Sequence, residues 1–360
     1  MRFLTVVLTA FAFGLCVGCK QDAATGADNG SSPQCANPDG YIAFDVADYQ
    51  AQDVRLSVYD DILALMDSAV AKDGSVDGSY FDKAKVLYKN ATKSADLRSK
   101  VLERLDEHVA GSPLQGERLD STLLSFFDFG AAATTAREAQ VAATWVRFTL
   151  VEFFFLSVHH EMEDPTREHW DEALGYFGSH SDNDEANVQG LAQLATERDA
   201  ANNTDLRAEI FNDFIDGACI LDEALMKADV ETLPLSKIPE LGDTVDNIDL
   251  NLQKVLAFTA GHDAIEVRDL LEAGGMDVDG LMVEATELVT LFIPLERIMN
   301  DRGGKSAQRA TQLRQLIDML PMANGTPDAS ALQDQAWFEN FDPTQIVILL
   351  EAEYDISIKG

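Results

Sequence analysis

Basic residues are scarce in this chain, and their scarcity excludes one class of partner. Its 360 residues include 27 lysines and arginines against 62 aspartates and glutamates, which gives a formal net charge of −35. A surface of that sign repels nucleic acid and anionic lipid headgroups. We therefore exclude nucleic acid and expect the surface to attract a cationic or basic partner. The alternative is a surface whose charge serves only solubility.

Cysteines are also few, and their positions exclude a thiolate metal site. The chain has four, and no Cys-x-x-Cys pair occurs after position 19, so zinc held by cysteines is excluded. Cys16 and Cys19 belong to an N-terminal apolar run. Cys35 and Cys219 remain, and they are the candidate disulfide because an exported compartment permits one.

Sequence signatures of common enzymes are missing as well. The chain has no glycine-rich phosphate loop and no Gly-x-Ser-x-Gly nucleophile elbow. The His-Glu-x-x-His pattern of zinc proteases is also absent, although His160 and Glu161 begin it. We therefore assign no catalytic residue and favour a non-enzyme, with a metal-dependent hydrolase as an alternative.

The first residues have the pattern of an export signal. Arg2 precedes an apolar run from Leu4 to Leu15, and this combination directs a chain across a membrane. Gly18 directly before Cys19 resembles the bacterial lipobox, in which the cysteine is acylated and becomes the mature N-terminus. The alternatives are secretion after cleavage nearby and an uncleaved anchor.

A polar stretch follows at residues 19–40, rich in glycine, serine, asparagine and aspartate, and it is typical of a flexible tether. The chain therefore divides into a lipoprotein signal peptide at 1–18, this tether, and a folded body at 41–360. The lipobox resemblance implies that a lipid on Cys19 binds the protein to a membrane. Lys20 favours the outer membrane, with the body on its periplasmic or cell-surface face.

The folded body is predicted to be all-α, as a helical bundle. It shows neither strand–helix alternation nor a short-period repeat, and its apolar residues recur at helical spacing between glycine and proline breaks. Packed half-bundles at 41–230 and 243–360 are one possible division. Residues 40–49 are the best strand candidate, although an extended entry segment is preferred. We expect residues 233–242 to be irregular and a kink or break near Pro294.

The most apolar segment, residues 134–162, predicts a helix buried on most sides. Its least polar part is about eighteen residues long, which is near the length needed to cross a membrane. Arg147 and Glu152 interrupt it. We therefore prefer the core helix of a soluble bundle over a membrane span.

Ionisable residues follow one face of this helix. At about 100° per residue, Glu152, His159 and Glu163 fall within roughly 40° of one another, among aromatic residues that favour an inward face. A buried carboxylate costs several kcal/mol unless it is paired or bound to a metal. These residues therefore predict a cation site. The alternatives are a Glu–His hydrogen bond, neutralisation by Arg147, and a solvated helix end.

Two further His–Glu pairs have spacings that let both side chains reach one point on a helix: His169 with Glu172, and His262 with Glu266. The alternative for each is a solvated polar face. The predicted metal ligands are His159, Glu163 and His169, with Glu152, His160, Glu172, His262 and Glu266 as further candidates. Histidine with carboxylate suits iron, zinc or copper better than calcium.

Two segments resemble known families. HWDEALGYFG at 169–178 is similar to a His-Trp-Asp-Glu-Ala-x-Gly-Tyr-Phe-Gly segment in a family of uncharacterised bacterial helical lipoproteins. AGHDAIEV at 260–267 resembles the Gly-x-His-x-x-Glu motif of imelysin-like proteins, which are exported helical bundles linked to iron handling. In this chain Gly261 directly precedes His262, and Glu266 follows four residues later.

Together these resemblances imply an exported, lipid-anchored helical protein that binds a cation such as iron. The residues themselves leave two alternatives open. One is a non-catalytic acidic surface protein that binds a basic partner, and the other is the metal-dependent hydrolase.

Overall fold

The computed structural model describes residues 46–90, 96–104, 115–163, 165–179, 188–273, 277–323, 326–332, 337 and 341–359. Thirteen α-helices occupy most of these ranges, which confirms the predicted all-α fold. The predicted signal peptide, the lipidation site Cys19, the tether and Cys35 lie outside the described residues and stay predictions. Cys219, the proposed disulfide partner of Cys35, is buried in the eighth helix.

The described helices occupy thirteen ranges. In chain order they are α1 (Val46–Asp67), α2 (Ser79–Lys89), α3 (Leu97–Glu103), α4 (Gln115–Ala131), α5 (Ala136–Glu163), α6 (Arg167–Phe177), α7 (Gly190–Asn202), α8 (Leu206–Ala228), α9 (Pro239–Glu272), α10 (Val278–Arg302), α11 (Gly304–Ile317), α12 (Ala329–Leu332) and α13 (Pro343–Tyr354). One 3-10 turn precedes α9 at Leu235–Lys237. Two short antiparallel strands, β1 (Met322–Ala323) and β2 (Thr326–Pro327), lie before α12.

Two local predictions were wrong at helix boundaries. The segment predicted as extended at 40–49 is helical from Val46 onward, because Gln52, Leu56 and Tyr59 continue one buried face in register with Tyr49. The region predicted as irregular at 233–242 already contains the start of α9, since a proline suits the first turn of a helix.

Of the kink or break predicted near Pro294, the break does not occur, because α10 continues through this residue. An internal proline removes one backbone hydrogen bond and costs about 3 kcal/mol or more. Leu291 and Leu295 on either side of it are buried, and α10 packs against α5, α9 and α11 along its length. Tertiary packing therefore offsets the local cost of the proline.

The core is built around α5, which packs against α4, α6, α10, α1 and α7. Of the helices that the structure describes, α5 is long and apolar enough to cross a membrane, and 83 % of its most apolar window is buried inside the protein. Such burial is typical of a core helix. The helices on both sides of the 3-10 turn belong to one compact unit, Cys35–Gly360, in which α5 contacts α10 and α8 contacts α9.

Gly217 lets α8 approach α6 closely, and its replacement by alanine gives a sharp test of that packing. A Cβ atom at Gly217 would lie 2.1 Å from Cζ2 of Trp170. The Trp170 side chain is fully buried, and its indole N–H donates to the Phe214 carbonyl at 2.9 Å. We expect Gly217→Ala to lower the free energy of unfolding by about 1–3 kcal/mol, because overpacking displaces the indole.

Urea denaturation measures this loss, and Gly242→Ala is the matched control. Gly242 lies in α9, and a Cβ atom there would meet nothing within 4 Å. Alanine at Gly242 is expected to be neutral or to stabilise by up to about 1 kcal/mol. Equal effects at the two glycines would contradict the close α6–α8 packing.

Candidate metal centre

Glu152 and His159 both turn inward, but the structure gives each its own partner. Glu152 is 3 % exposed and forms ion pairs with Arg118 on α4 and Arg297 on α10, the latter at 2.5 Å. His159 donates from Nε2 to Asp249 Oδ1 on α9 at 2.6 Å. The two side chains are seven residues apart, about 10 Å along the helix. They are therefore held separately in this structure, and their binding to one ion stays a prediction.

The other acid and histidine predicted at the end of α5 do not enter a buried site. His160 and Glu163 are both exposed. The buried acid at this corner is Glu161, which the sequence reasoning passed over. Its Oε1 atom accepts from Arg104 Nη2 at 2.7 Å, and Arg104 also donates to Ser157 Oγ at 2.9 Å. An ion pair between helices therefore occupies this corner.

The α6 pair, His169 and Glu172, lies beside the same ion pair. His169 is half-buried in the first turn of α6, and its backbone N–H donates to the capping Oγ1 of Thr166 at 3.0 Å. Burial, followed by the charge of Glu161, raises the pKa of Glu172. Glu172 therefore belongs electrostatically to the Glu161 corner, which already holds the guanidinium of Arg104.

His262 and Glu266 also have separate surroundings. Asn202 Nδ2 lies 3.2 Å from His262 Nε2, and Asn202 Oδ1 accepts from the backbone N–H of Lys359 at 3.0 Å. Burial, followed by the charge of Arg198, lowers the pKa of His262, so the neutral ring is favoured and Nε2 can accept. Glu266 is exposed and does not share these contacts.

Gly261, the glycine of the imelysin-like segment, has a packing role here. A Cβ atom at this position would lie 2.3 Å from Cδ1 of Ile358. Because glycine has no side chain, Ile358 can pack against α9 at this position. The next residue, Lys359, bonds to Asn202. Residues 355–359 therefore dock on α7 and α9. This packing accounts for the glycine at Gly261 and for the contact of His262 with Asn202.

Three carboxylates do converge, and they lie on α9 and α10. Asp263, Glu284 and Glu287 each offer an oxygen, and these three atoms lie within 4.8 Å of one another. Glu284 and Glu287 are three residues apart on α10, so both can face α9. Asp263 is 5 % exposed, and its Oδ2 atom has no hydrogen-bond partner among the described residues. We refer to Asp263, Glu284 and Glu287 as the carboxylate cluster.

The acids of the carboxylate cluster are buried and close to one another, so their ionised forms are disfavoured. Burial, followed by the charges of Glu287 and Glu284, raises the pKa of Asp263 well above its usual value. Burial, followed by Glu287 and Glu266, raises the pKa of Glu284 to about 8. The pKa of Glu287 is also raised, chiefly by burial. Glu266 is the predicted ligand that lies near this cluster, and a hydrogen bond links it to Glu284.

Sequence reasoning missed the carboxylate cluster because its members come from two helices with no shared motif. Asp263 and Glu284 are separated by the end of α9 and the start of α10. The available signal was weak: Glu284 and Glu287 are two acids at helical spacing in an otherwise strongly apolar segment. Two acids on such an apolar helix resemble the acids that interrupt the apolar sequence of α5.

Comparisons with protein-family models, curated proteins and solved structures gave no match. The resemblances of residues 169–178 and 260–267 therefore stay predictions. Within those segments the structure assigns packing roles to Trp170 and Gly261.

Proposed function

We propose that this protein binds a divalent cation at the carboxylate cluster. The observation that supports the proposal is the buried Oδ2 atom of Asp263, which lies beside two further carboxylates and lacks a hydrogen-bond partner among the described residues. A buried carboxylate without a partner costs several kcal/mol, and a bound cation supplies the missing counter-charge. Export and lipid attachment at Cys19 belong to the same proposal and rest on the N-terminal sequence.

The other buried acids of the described chain make the contrast clear. Five acidic residues are buried in that part: Asp120, Glu152, Glu161, Asp171 and Asp263. The first four each have an arginine nitrogen within 3.2 Å. Asp263 has no arginine or lysine within ion-pair distance among the described residues. This contrast supports a bound cation as the counter-charge of Asp263.

The donor set also indicates the class of cation. Its ligand atoms are carboxylate oxygens, and His262, the nearest histidine in sequence, bonds to Asn202. Oxygen ligands of this kind suit magnesium, calcium and manganese, whereas zinc and copper favour sites with nitrogen or sulfur. The preference for iron, zinc or copper rested on histidines that the structure holds elsewhere. We therefore propose a hard divalent cation and take Mn²⁺ as its probe.

Titration calorimetry of the untagged protein tests this proposal. We expect the wild type to bind Mn²⁺, and Asp263→Asn to weaken binding by at least about 10–100-fold, because a charged ligand is replaced by an amide. Glu272→Gln is the matched control, since Glu272 is exposed at the end of the same helix. It is expected to bind like the wild type.

Two results would contradict the carboxylate cluster. Equal Mn²⁺ affinity in the wild type and Asp263→Asn would remove it as the site. Binding of Zn²⁺ that is lost in His159→Ala but retained in Asp263→Asn would instead support the site predicted from the sequence at His159, Glu163 and His169.

A further inference from the structure

A groove with a volume of about 610 Å³ lies between α1 and α7, and no member of the carboxylate cluster lines it. Its α1 wall consists of four residues at the spacing of one helix face: Asp60, Leu63, Ala64 and Asp67. Glu197 lies on the α7 wall. The volume is within the range of about 300–1,000 Å³ that small-molecule sites occupy. The side chains of two helices therefore border a space large enough for an organic ligand.

Apolar side chains separate the two acids of the α1 wall. Asp60 and Asp67 are seven residues apart, which is about 10 Å along the helix. Leu63 and Ala64 lie between them, and Val188 adds apolar surface from the segment before α7. The groove thus offers negative charges at separate points around an apolar surface.

The acids of this groove have little positive charge near them. Among the described residues, Arg147 is the basic side chain within 4 Å of these acids, and its Nη2 atom is 3.7 Å from Glu197 Oε2. Arg147 also forms a hydrogen bond with Tyr59. One guanidinium group therefore serves three carboxylates.

Neutral amides bind two of the carboxylates but do not offset their charge. Gln189 donates to Asp60 Oδ2, and Gln193 donates to Glu197 Oε1 at 3.3 Å. Burial nevertheless raises the pKa of Asp60, because the bond from Gln189 only partly opposes the loss of solvent. A cation in the groove would favour the ionised form of Asp60 and would be attracted by it.

The spacing of these acids favours an extended organic cation over a metal ion. The ligands of a metal ion converge on one point. Among the described residues, the ligand atoms of three acids lie within 4.8 Å of one another at the carboxylate cluster, and the acids of the groove do not form such a group. Separate carboxylates instead suit a ligand that carries several positive groups.

The groove also lacks the apolar anchor that is typical of a protein interface. Partner proteins usually meet at large aromatic or aliphatic side chains. The large exposed hydrophobic residues of the described chain, of which Met226 and Val86 are the most exposed, all lie outside the groove. A small ligand therefore fits the groove better than a partner protein.

We infer that this groove binds an aliphatic polyamine, whose ammonium groups pair with the carboxylates of Asp60, Asp67 and Glu197. Its methylene chain would pack on the apolar surface of Leu63 and Ala64. An ammonium group is a compact charge with three donors, so it can bond to a carboxylate without a fixed orientation. The net charge of −35 raises the local concentration of such cations. This site shares no residue with the proposed Mn²⁺ site and does not depend on it.

Titration calorimetry of the untagged full chain with spermidine, an aliphatic triamine, tests this inference. Butylamine is the control ligand, because it has a similar methylene chain but one ammonium group. Spermidine is expected to bind with a Kd at least about tenfold lower than that of butylamine, since its further ammonium groups reach further carboxylates. A Kd of spermidine equal to that of butylamine would overturn the inference.

Two variants separate the groove from the overall charge of the surface. Asp67→Asn is expected to raise the Kd of spermidine by about threefold or more, whereas Asp61→Asn, at an exposed residue of α1 that does not line the groove, is expected to change it by less than about twofold. Ala64→Leu keeps every charge but fills the groove, so it is expected to raise the Kd by at least about fivefold. Ala64 is exposed, and circular dichroism checks that each variant is folded.

The other outcomes are equally decisive. Equal losses of affinity in Asp67→Asn and Asp61→Asn, or wild-type affinity in Ala64→Leu, would show that spermidine follows the overall charge and would overturn the groove. Spermidine binding that is lost in Asp263→Asn but retained in Asp67→Asn would assign the amine to the carboxylate cluster instead. If the wild type binds Mn²⁺ but not spermidine, this inference fails and the proposed function stands.

Discussion

Asp263→Asn is expected to stabilise the cation-free protein at pH 8 while removing the stabilisation that Mn²⁺ provides to the wild type. Burial and the neighbouring carboxylates raise the pKa of Asp263, so its ionised form is disfavoured in the folded state. Replacing it with a neutral amide relieves that cost. Each kcal/mol regained corresponds to a rise in Tm of about 1–2 °C for a domain of this size.

The pH dependence fixes the sign of this effect. A carboxyl group whose pKa is higher in the folded than in the unfolded state binds its proton more tightly when folded. The group therefore costs stability as the pH rises from its pKa in the unfolded state to its pKa in the folded state. The advantage of Asp263→Asn is thus greatest at alkaline pH and vanishes near pH 4, about the unfolded pKa of an aspartate.

Thermal denaturation in the presence of a chelator, and then with Mn²⁺, measures both parts of this prediction. Glu272→Gln should leave the Tm nearly unchanged in both conditions, because Glu272 is exposed. If Asp263→Asn instead lowers the Tm at pH 8 with chelator, Asp263 is stabilising the fold rather than serving a ligand. Such a result would show that Asp263 lacks the destabilising effect expected of a residue in an empty binding site.

Arg104→Met is expected to lower the free energy of unfolding by about 3–5 kcal/mol, because it leaves the Glu161 carboxylate buried without its counter-charge. The side chains of Arg104 and Glu161 are 5 % and 10 % exposed, and their contact is 2.7 Å. Arg104 also donates to Ser157, so several bonds are lost at once. Urea denaturation followed by circular dichroism measures the loss.

The neighbouring residue supplies the control for this prediction. Glu103 pairs with Lys100 at 2.8 Å, but its side chain is 55 % exposed. Glu103→Gln is expected to change the free energy of unfolding by no more than about 1 kcal/mol. The double variant Arg104→Met with Glu161→Leu should recover much of the loss, because no buried charge is left alone. Losses that simply add in the double variant would show that the two groups do not act as a pair.

The helical architecture could be predicted because it depends on local periodicity. Helical spacing of apolar residues and the glycine and proline breaks located most of the helices that the structure describes. The local sequence could not decide between a kink and a break at Pro294, because buried neighbours on α10 help to keep the helix continuous there.

The candidate site could not be predicted in the same way, because α5 is buried on nearly every side. A helical wheel identifies an inward face only when another face of the helix is polar and exposed to solvent. Glu152 and Glu161 lie on opposite sides of α5, and both are buried. Their counter-ions, Arg297 and Arg104, lie 145 and 57 residues away in the chain. Spacing along one helix carries no information about such partners.

The ion pair between Glu152 and Arg297 also constrains when the protein can complete its fold. Glu152 meets its second guanidinium only after α10 has been added, and α10 covers part of the most apolar helix. Contacts so distant in sequence form slowly, since a long loop must close first. A growing polypeptide would therefore keep α5 incompletely covered until α10 has been made.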